Sequence, residues 1–181
     1  MGSDGDPVEH PDLREVTENL RALRDKWFSR AKLCLQTALR DLHSFELRTT
    51  MGMYDKVILE YEWGRAPTFA SMTGEKSTQL GVLTSQLTHF DHLIVQASFM
   101  KGPVDNSSDA EVQNWIKKLQ EFRPREVHIL PNKAHVAAVR KGAKAEKPKY
   151  ITKNRRQQIA DEVAEKTGIT VTIHEDEPLL V

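Results

Sequence analysis

Apolar residues return every three or four positions from Leu13 to Trp27, at Leu13, Val16, Leu20, Leu23 and Trp27. That spacing predicts an amphipathic helix over 10–27, with Pro11 at or just before its first turn. The period then shortens. AKLCLQT (31–37) predicts a short strand, 39–50 a helix, and KVILEYEW (56–63) a strand rich in β-branched and aromatic residues. Gly64 and Pro67 punctuate the chain, and 76–89 reads as helical. DHLIVQASFM (91–100) is the clearest strand. Gly102-Pro103 and Asp105-Asn106 form a loop, and Ser108 and Glu111 have the spacing of a capping box. Val112, Trp115, Ile116 and Leu119 define the face of a helix that Pro124 ends. REVHIL (125–130) is a strand, a helix with Ile159 and Val163 stops at Gly168, and ITVTIH (169–174) is the last strand.

Helix then strand, five times over, predicts a parallel sheet, because parallel neighbours need crossover connections. Right-handed crossovers that advance in one direction put every helix on the same side. The strands agree. Val57, Leu59 and Tyr61 share one face, and Ile58, Glu60 and Glu62 the other. Leu93, Val95, Ala97 and Phe99 oppose Ile94, Gln96, Ser98 and Met100. Val127 and Ile129 oppose His128 and Leu130, and Ile169, Val171 and Ile173 oppose Thr170, Thr172 and His174. A sheet covered on both sides would be apolar on both. The expected fold is therefore an α/β partial parallel (β/α) barrel of about five strands, helices on the outer face, polar residues lining the interior. Unpaired polar groups in a dry core cost about 1–3 kcal/mol each, so such an interior is wet or holds a ligand. Functional residues of parallel barrels gather at the C-terminal strand ends, which here carry Thr37, Glu60, Glu62, Gln96, Ser98, His128 and His174. The plainer alternative is an open sheet with a solvated face.

Composition narrows the function. Lys and Arg balance Asp and Glu, so bulk charge demands neither nucleic acid nor membrane. No apolar run suits a membrane span and no secretory signal opens the chain, which makes the cytoplasm the expected location. Residues 1–181 read as a single domain. Cys34 is the lone cysteine, so the chain by itself holds neither a disulfide nor an ordinary iron–sulfur cluster, and no metal ligands are assigned.

Several segments, taken in order, resemble the radical S-adenosylmethionine enzymes. GDPVEHPDLREVTENLRALRDKW is similar to the exit of that family's second strand, often Gly-Glu-Pro-x-x-His-Pro, and the helix after it. AKLCLQT resembles the next strand, although Ala38-Leu39 replace the usual Asn-Gly. VILEYEWG resembles the strand that often carries Ser-x-Asp-x-Gly, with Glu60, Glu62 and Gly64 at those positions. LIVQASFMKGPVDNSSDAEVQNWIKKLQEFRPREVHIL is similar to the later strand–helix–strand unit. The resemblance implies a partial (β/α)6 barrel binding S-adenosylmethionine at its C-terminal strand ends. It implies that Gly5, Asp6 and Pro7 form the loop that meets the methionine amino group, and that Glu60, Glu62, Gln96 and Ser98 stand nearest the ribose or methionine carboxylate. It also implies an incomplete domain: the first strand, its Cys-x-x-x-Cys-x-x-Cys loop, the first helix and the second strand are missing, so a [4Fe–4S] cluster would come from another chain. Strand 31–37 would then be an open edge, and the isolated chain is expected to be marginal, to self-associate, or to pair with a chain carrying the cysteine motif.

Other signals keep plainer readings beside them. Glu60 and Glu62 suit acid–base work, but two solvated or ion-paired glutamates explain them as well. His89 and His92 have the spacing of a metal-ligand pair, and the plainer reading is that they diverge across a helix end and a strand start. His128 and His174 suit proton transfer or substrate contact, or form a hydrogen-bonded structural pair. Residues 133–156 hold nine Lys or Arg and one acid, which suits RNA or simply a solvated basic loop. The expected function is thus an incomplete radical S-adenosylmethionine-like domain lending cofactor and substrate walls, inactive alone or completed by a cluster-bearing chain. The alternatives are a cluster-free module for a small anionic or nucleotide ligand, and an RNA-associated accessory domain.

Overall fold

The computed structural model describes residues 5–39, 42, 44–102, 104–131 and 149–175. Five strands form one parallel sheet: β1 (Cys34–Thr37), β2 (Lys56–Glu60), β3 (Leu93–Ala97), β5 (Glu126–Ile129) and β7 (Thr170–Ile173), side by side in that order. The short strands β4 (Met100–Lys101) and β6 (Lys149–Tyr150) pair antiparallel just beyond the C-terminal end of β3. Six α-helices connect these strands: α1 (Leu13–Trp27), α2 (Phe45–Met51), α3 (Ala66–Thr73), α4 (Gln79–Leu87), α5 (Asp109–Phe122) and α6 (Lys153–Thr167), after a single 3-10 turn at Pro7–Glu9.

The two faces differ as the alternation predicts. Leu35, Val57, Leu59, Tyr61, Leu93, Val95, Ala97, Val127 and Ile129 join one hydrophobic cluster with Leu83, Leu87, Val112, Trp115, Leu119, Ile159 and Val163 of the helices. Residues of the opposite parity stay out of that cluster, even the buried Ile94. The helices therefore pack on one face and leave the other uncovered, which is the layout of a partial (β/α) barrel.

Three local expectations change. The sequence pattern passes over α3, because Pro67 reads as a breaker; it sits in the first helical turn, where its missing N–H removes no bond. The run 91–100 is one strand in the pattern but stops at Ala97, where the chain turns toward side chains of the β2 exit. Ser108 does precede α5, but its hydroxyl makes no capping bond. Glu111 does not reach back to its own helix end either; its carboxylate accepts from Gly64 N, Arg65 N and Arg65 Nε of the α3 approach at 2.7, 2.9 and 2.6 Å.

Candidate functional site

Register decides what the uncovered face presents. Glu60 stands beside Gln96, Gln96 beside His128, and His128 beside Thr172, so one polar row crosses β2, β3, β5 and β7 at their C-terminal halves. A shallower row reads Gln36, Ile58, Ile94, Glu126 and Thr170. Gln36 Nε2 donates to Gln96 Oε1 at 3.3 Å, spanning β2 above half-buried Ile58. Glu60, Gln96 and His128 are each half-buried, which leaves them reachable by a ligand.

Beyond the strands the chain tightens around Glu62. This carboxylate is buried, and its Oε1 accepts the Ser98 N–H at 2.8 Å. Burial pushes its pKa up to about 7; the Ser98 bond opposes that shift and the like charge of Glu60 adds to it. Asn106, fully buried, holds the corner. Its Nδ2 donates to Glu62 O at 2.9 Å and Ser98 O at 2.8 Å, while its Oδ1 accepts from Met100 N at 2.7 Å. Ser98 Oγ is buried beside them without a hydrogen-bond partner.

Residues 5–7 lie at the same end of the sheet. Asp6 caps the 3-10 turn by accepting from Val8 N at 3.1 Å, and its other oxygen accepts from Thr37 Oγ1 and Ala38 N at 2.8 and 2.7 Å. The loop is thereby pinned to the exit of β1. Thr37 belongs to the apolar row with Leu59 and is buried, so its hydroxyl serves Asp6 rather than the open face. His128 and His174 are brought together, ring centroids 4.9 Å apart, with Glu126 Oε2 3.4 Å from His128 Nε2.

The structure therefore gathers Glu60, Glu62, Gln96, Ser98 and His128 at one end of the sheet, sets His174 beside them, and stations Gly5, Asp6 and Pro7 at the β1 exit. Gln36 and Asn106 were not singled out in the sequence. Gln36 was legible from its parity on the same strand as Thr37. Asn106 was not, because its Asp-Asn context signals only a turn. His89 and His92 diverge: His89 Nδ1 pairs with Gln86 O, and His92 meets Asp91 and the Phe90 ring. Among the described residues no three His, Cys, Asp or Glu side chains cluster as metal ligands, and no helix is long and apolar enough to cross a membrane. Most of the basic stretch 133–156 lies outside the described residues.

No family model and no curated protein matches the sequence. Solved structures do match. A domain of pyruvate-formate lyase-activating enzyme from Bacteroides vulgatus superposes with a TM-score of 0.69 at 12% identity, covering 96% of each chain. SuiB from Streptococcus suis, solved bound to S-adenosylmethionine, gives 0.66 at 9% identity over 94% of this chain and 38% of its own. A radical SAM methyltransferase from Sphaerobacter thermophilus gives 0.60 at 14% identity over 94% of this chain and 48% of its own. The chain thus spans less than half the length of the latter two. The fold is that of radical S-adenosylmethionine enzymes.

Proposed function

We propose that the open face binds S-adenosylmethionine across the C-terminal ends of β1, β2, β3 and β5. The observation behind this reading is the half-buried row Glu60–Gln96–His128, left uncovered by the helices and bordered by the pinned loop at Gly5-Asp6-Pro7. The chemistry suits the molecule. Its sulfonium and ammonium groups are cationic, and Glu60, Glu62 and Glu126 lie on or beside the open face. Its ribose and adenine need neutral partners of the kind Gln36, Gln96 and Ser98 supply, and the orphaned Ser98 Oγ fits a ligand hydroxyl or carboxylate.

A [4Fe–4S] cluster does not fit this chain's own residues, since Cys34 is the lone cysteine and opens β1, away from the strand exits. On this reading these residues hold S-adenosylmethionine without cleaving it, and reductive cleavage would need cluster thiolates that they do not supply. Titration calorimetry tests the binding step. Saturable one-to-one binding, weakened tenfold or more in Gln96→Leu, is the expected outcome; no heat at ~1 mM ligand sinks the reading. S-adenosylhomocysteine, which lacks the sulfonium charge, should bind more weakly. Equal binding of the two would turn the reading toward a cluster-free nucleoside module.

A further inference from the structure

Helix α6 turns one charged residue inward. Arg156, Ile159, Ala160 and Val163 are its buried positions, spaced three and four apart, and form the stripe that faces the sheet. The first place in that stripe, where an apolar side chain would suit the surroundings, holds a guanidinium in a residue that is 4% exposed. Among the described residues no carboxylate pairs with it. Its Nη1 donates to His174 O at a long 3.4 Å, and its buried Nε has no hydrogen-bond partner. Arginine does not escape burial by losing its proton as lysine does, so a charge left this way is costly unless an anion meets it. Acids on the neighbouring elements are engaged elsewhere. Asp109 holds Arg155 at 2.6 Å, and Glu126 lies 3.4 Å from His128 and 3.8 Å from Arg125.

The guanidinium stands at the end of the sheet that carries the polar row. His174 N donates to Ile129 O at 2.9 Å, so the carbonyl that Arg156 reaches is at the exits of β5 and β7. The His174 ring lies 4.9 Å from that of His128 on the open face. Helix α6 starts at this same end, and its side chains lean toward its N-terminus, which carries the Arg156 guanidinium toward the first turn. Thr152 Oγ1 caps the Arg155 N–H at 3.2 Å; helix geometry leaves those of Lys153 and Asn154 to an outside acceptor. That first turn has no acid, and Lys153, Arg155 and Arg156 put cations where the helix dipole is already positive. Free N–H groups, a positive dipole end and a buried guanidinium without a counter-ion together make a seat for an oxyanion.

We propose that the first turn of α6, with Arg156 beneath it, binds the phosphate group of a small molecule whose body lies over His174 and His128. Phosphate suits the seat better than carboxylate, because a dianion matches this concentration of cations. A small molecule suits it better than a nucleic acid, because the guanidinium is almost closed off from solvent. This ligand is separate from the S-adenosylmethionine read onto β1 to β5, and its binding does not depend on that reading.

Inorganic phosphate is the probe, titrated into the full chain at constant ionic strength with chloride as the balancing anion. Saturable broadening of the phosphorus NMR resonance is expected, with a Kd on the order of 1 mM. Phosphate at ~10 mM should raise the melting temperature by about 3 °C. Arg156→Met separates a ligand role from a structural one. Exchanging an uncompensated charge for an apolar side chain of similar reach should leave the melting temperature in chloride at or above that of the wild type, and abolish the phosphate response. Lys153→Glu, at an exposed position, leaves the interior intact and should raise the phosphate Kd about tenfold without lowering stability. Calorimetry with S-adenosylmethionine should be unchanged in Arg156→Met. Absence of a phosphate-specific effect in the wild type, or a response indifferent to Arg156→Met or to Lys153→Glu, would overturn the site. A marked fall in the melting temperature of Arg156→Met in chloride would make Arg156 structural instead. Loss of S-adenosylmethionine binding in that variant would overturn the separate ligand and give the guanidinium to the carboxylate of S-adenosylmethionine. The phosphate measurements need no S-adenosylmethionine, so the failure of that reading leaves them standing.

Discussion

The carboxylate of Glu62 accepts the backbone N–H of Ser98 at 2.8 Å, bridging the exits of β2 and β3. Burial raises its pKa from the ordinary 4.5 to about 7. Between those values the folded chain binds more proton than the unfolded one. The stabilisation from a neutral Glu62 is therefore present at low pH and is lost as pH climbs from about 4.5 through about 7. Its size is on the order of 3 kcal/mol. Glu62→Gln removes the titration and keeps an acceptor for Ser98. Melting followed by circular dichroism should show the variant gaining on the wild type steadily from about pH 5 to about pH 8. A constant difference between the two would remove Glu62 from the pH dependence.

The same group gives the ligand reading a pH signature. A sulfonium or ammonium placed near Glu62 favours its ionised form, so binding should release a proton and strengthen as pH rises through about 7. Calorimetry in buffers of different ionisation enthalpy measures that proton directly, and Glu62→Gln should abolish it.

Gly64 occupies a place no other residue fits. A Cβ there would lie 2.3 Å from Glu111 O and 2.4 Å from Trp115 N, both backbone atoms of α5 that no rotamer change can move aside. The approach is close because α5 grips the β2 exit twice: Glu111 takes the Gly64 and Arg65 N–H groups, and Trp115 Nε1 donates to Tyr61 O at 2.9 Å. Gly64→Ala should cost about 3 kcal/mol by urea denaturation, at the upper end of overpacking penalties. Glu111→Ala, which strands a buried N–H, should cost a similar ~3 kcal/mol. The two losses should not add, since either one opens the same junction.

These contacts show where sequence legibility stops. The two-sided strands were legible because alternation is local: parity alone put Val57 and Leu59 against the helices, and Glu60 away from them. Gly168 at positive φ and the amphipathic α1 were legible for the same reason. The alignment of Glu60, Gln96 and His128 into one row was not, since it rests on the register between strands about 35 residues apart, which packing decides. Glu111 carries a local capping signal, and a tertiary contact overrides it: its carboxylate finds three donors on Gly64 and Arg65 instead of its own helix end. Thr37 had the right strand position for an open-face role, but its parity sends it under Asp6.

Asn106 ties three backbone groups with one amide. Asn106→Ala leaves Glu62 O, Ser98 O and Met100 N without that partner, and should cost about 2–3 kcal/mol. The loss should be local as well as global. Hydrogen exchange at Met100 is expected to quicken well before that of Val95 in the middle of β3. Equal acceleration at both would mean that Asn106 contributes only general packing.

Asp6 fastens the start of the described chain to the sheet through Thr37 Oγ1 and Ala38 N, and also caps the turn at Pro7–Glu9. Asp6→Ala removes all three bonds at a half-buried, surface-proximal place. The global melting point should fall modestly, by about 1–2 kcal/mol equivalent, while amide exchange at Val8 rises to near the unprotected rate. Asp6→Asn separates the two jobs, because an amide oxygen can still cap Val8 but cannot also accept both Thr37 and Ala38 as a carboxylate does. If the loop at 5–7 forms one wall of the ligand site, both variants should weaken S-adenosylmethionine binding beyond what their stability loss accounts for. Unchanged affinity in Asp6→Ala, with exchange at Val8 shown to be fast, would take residues 5–7 out of the site and leave Asp6 a purely structural clasp.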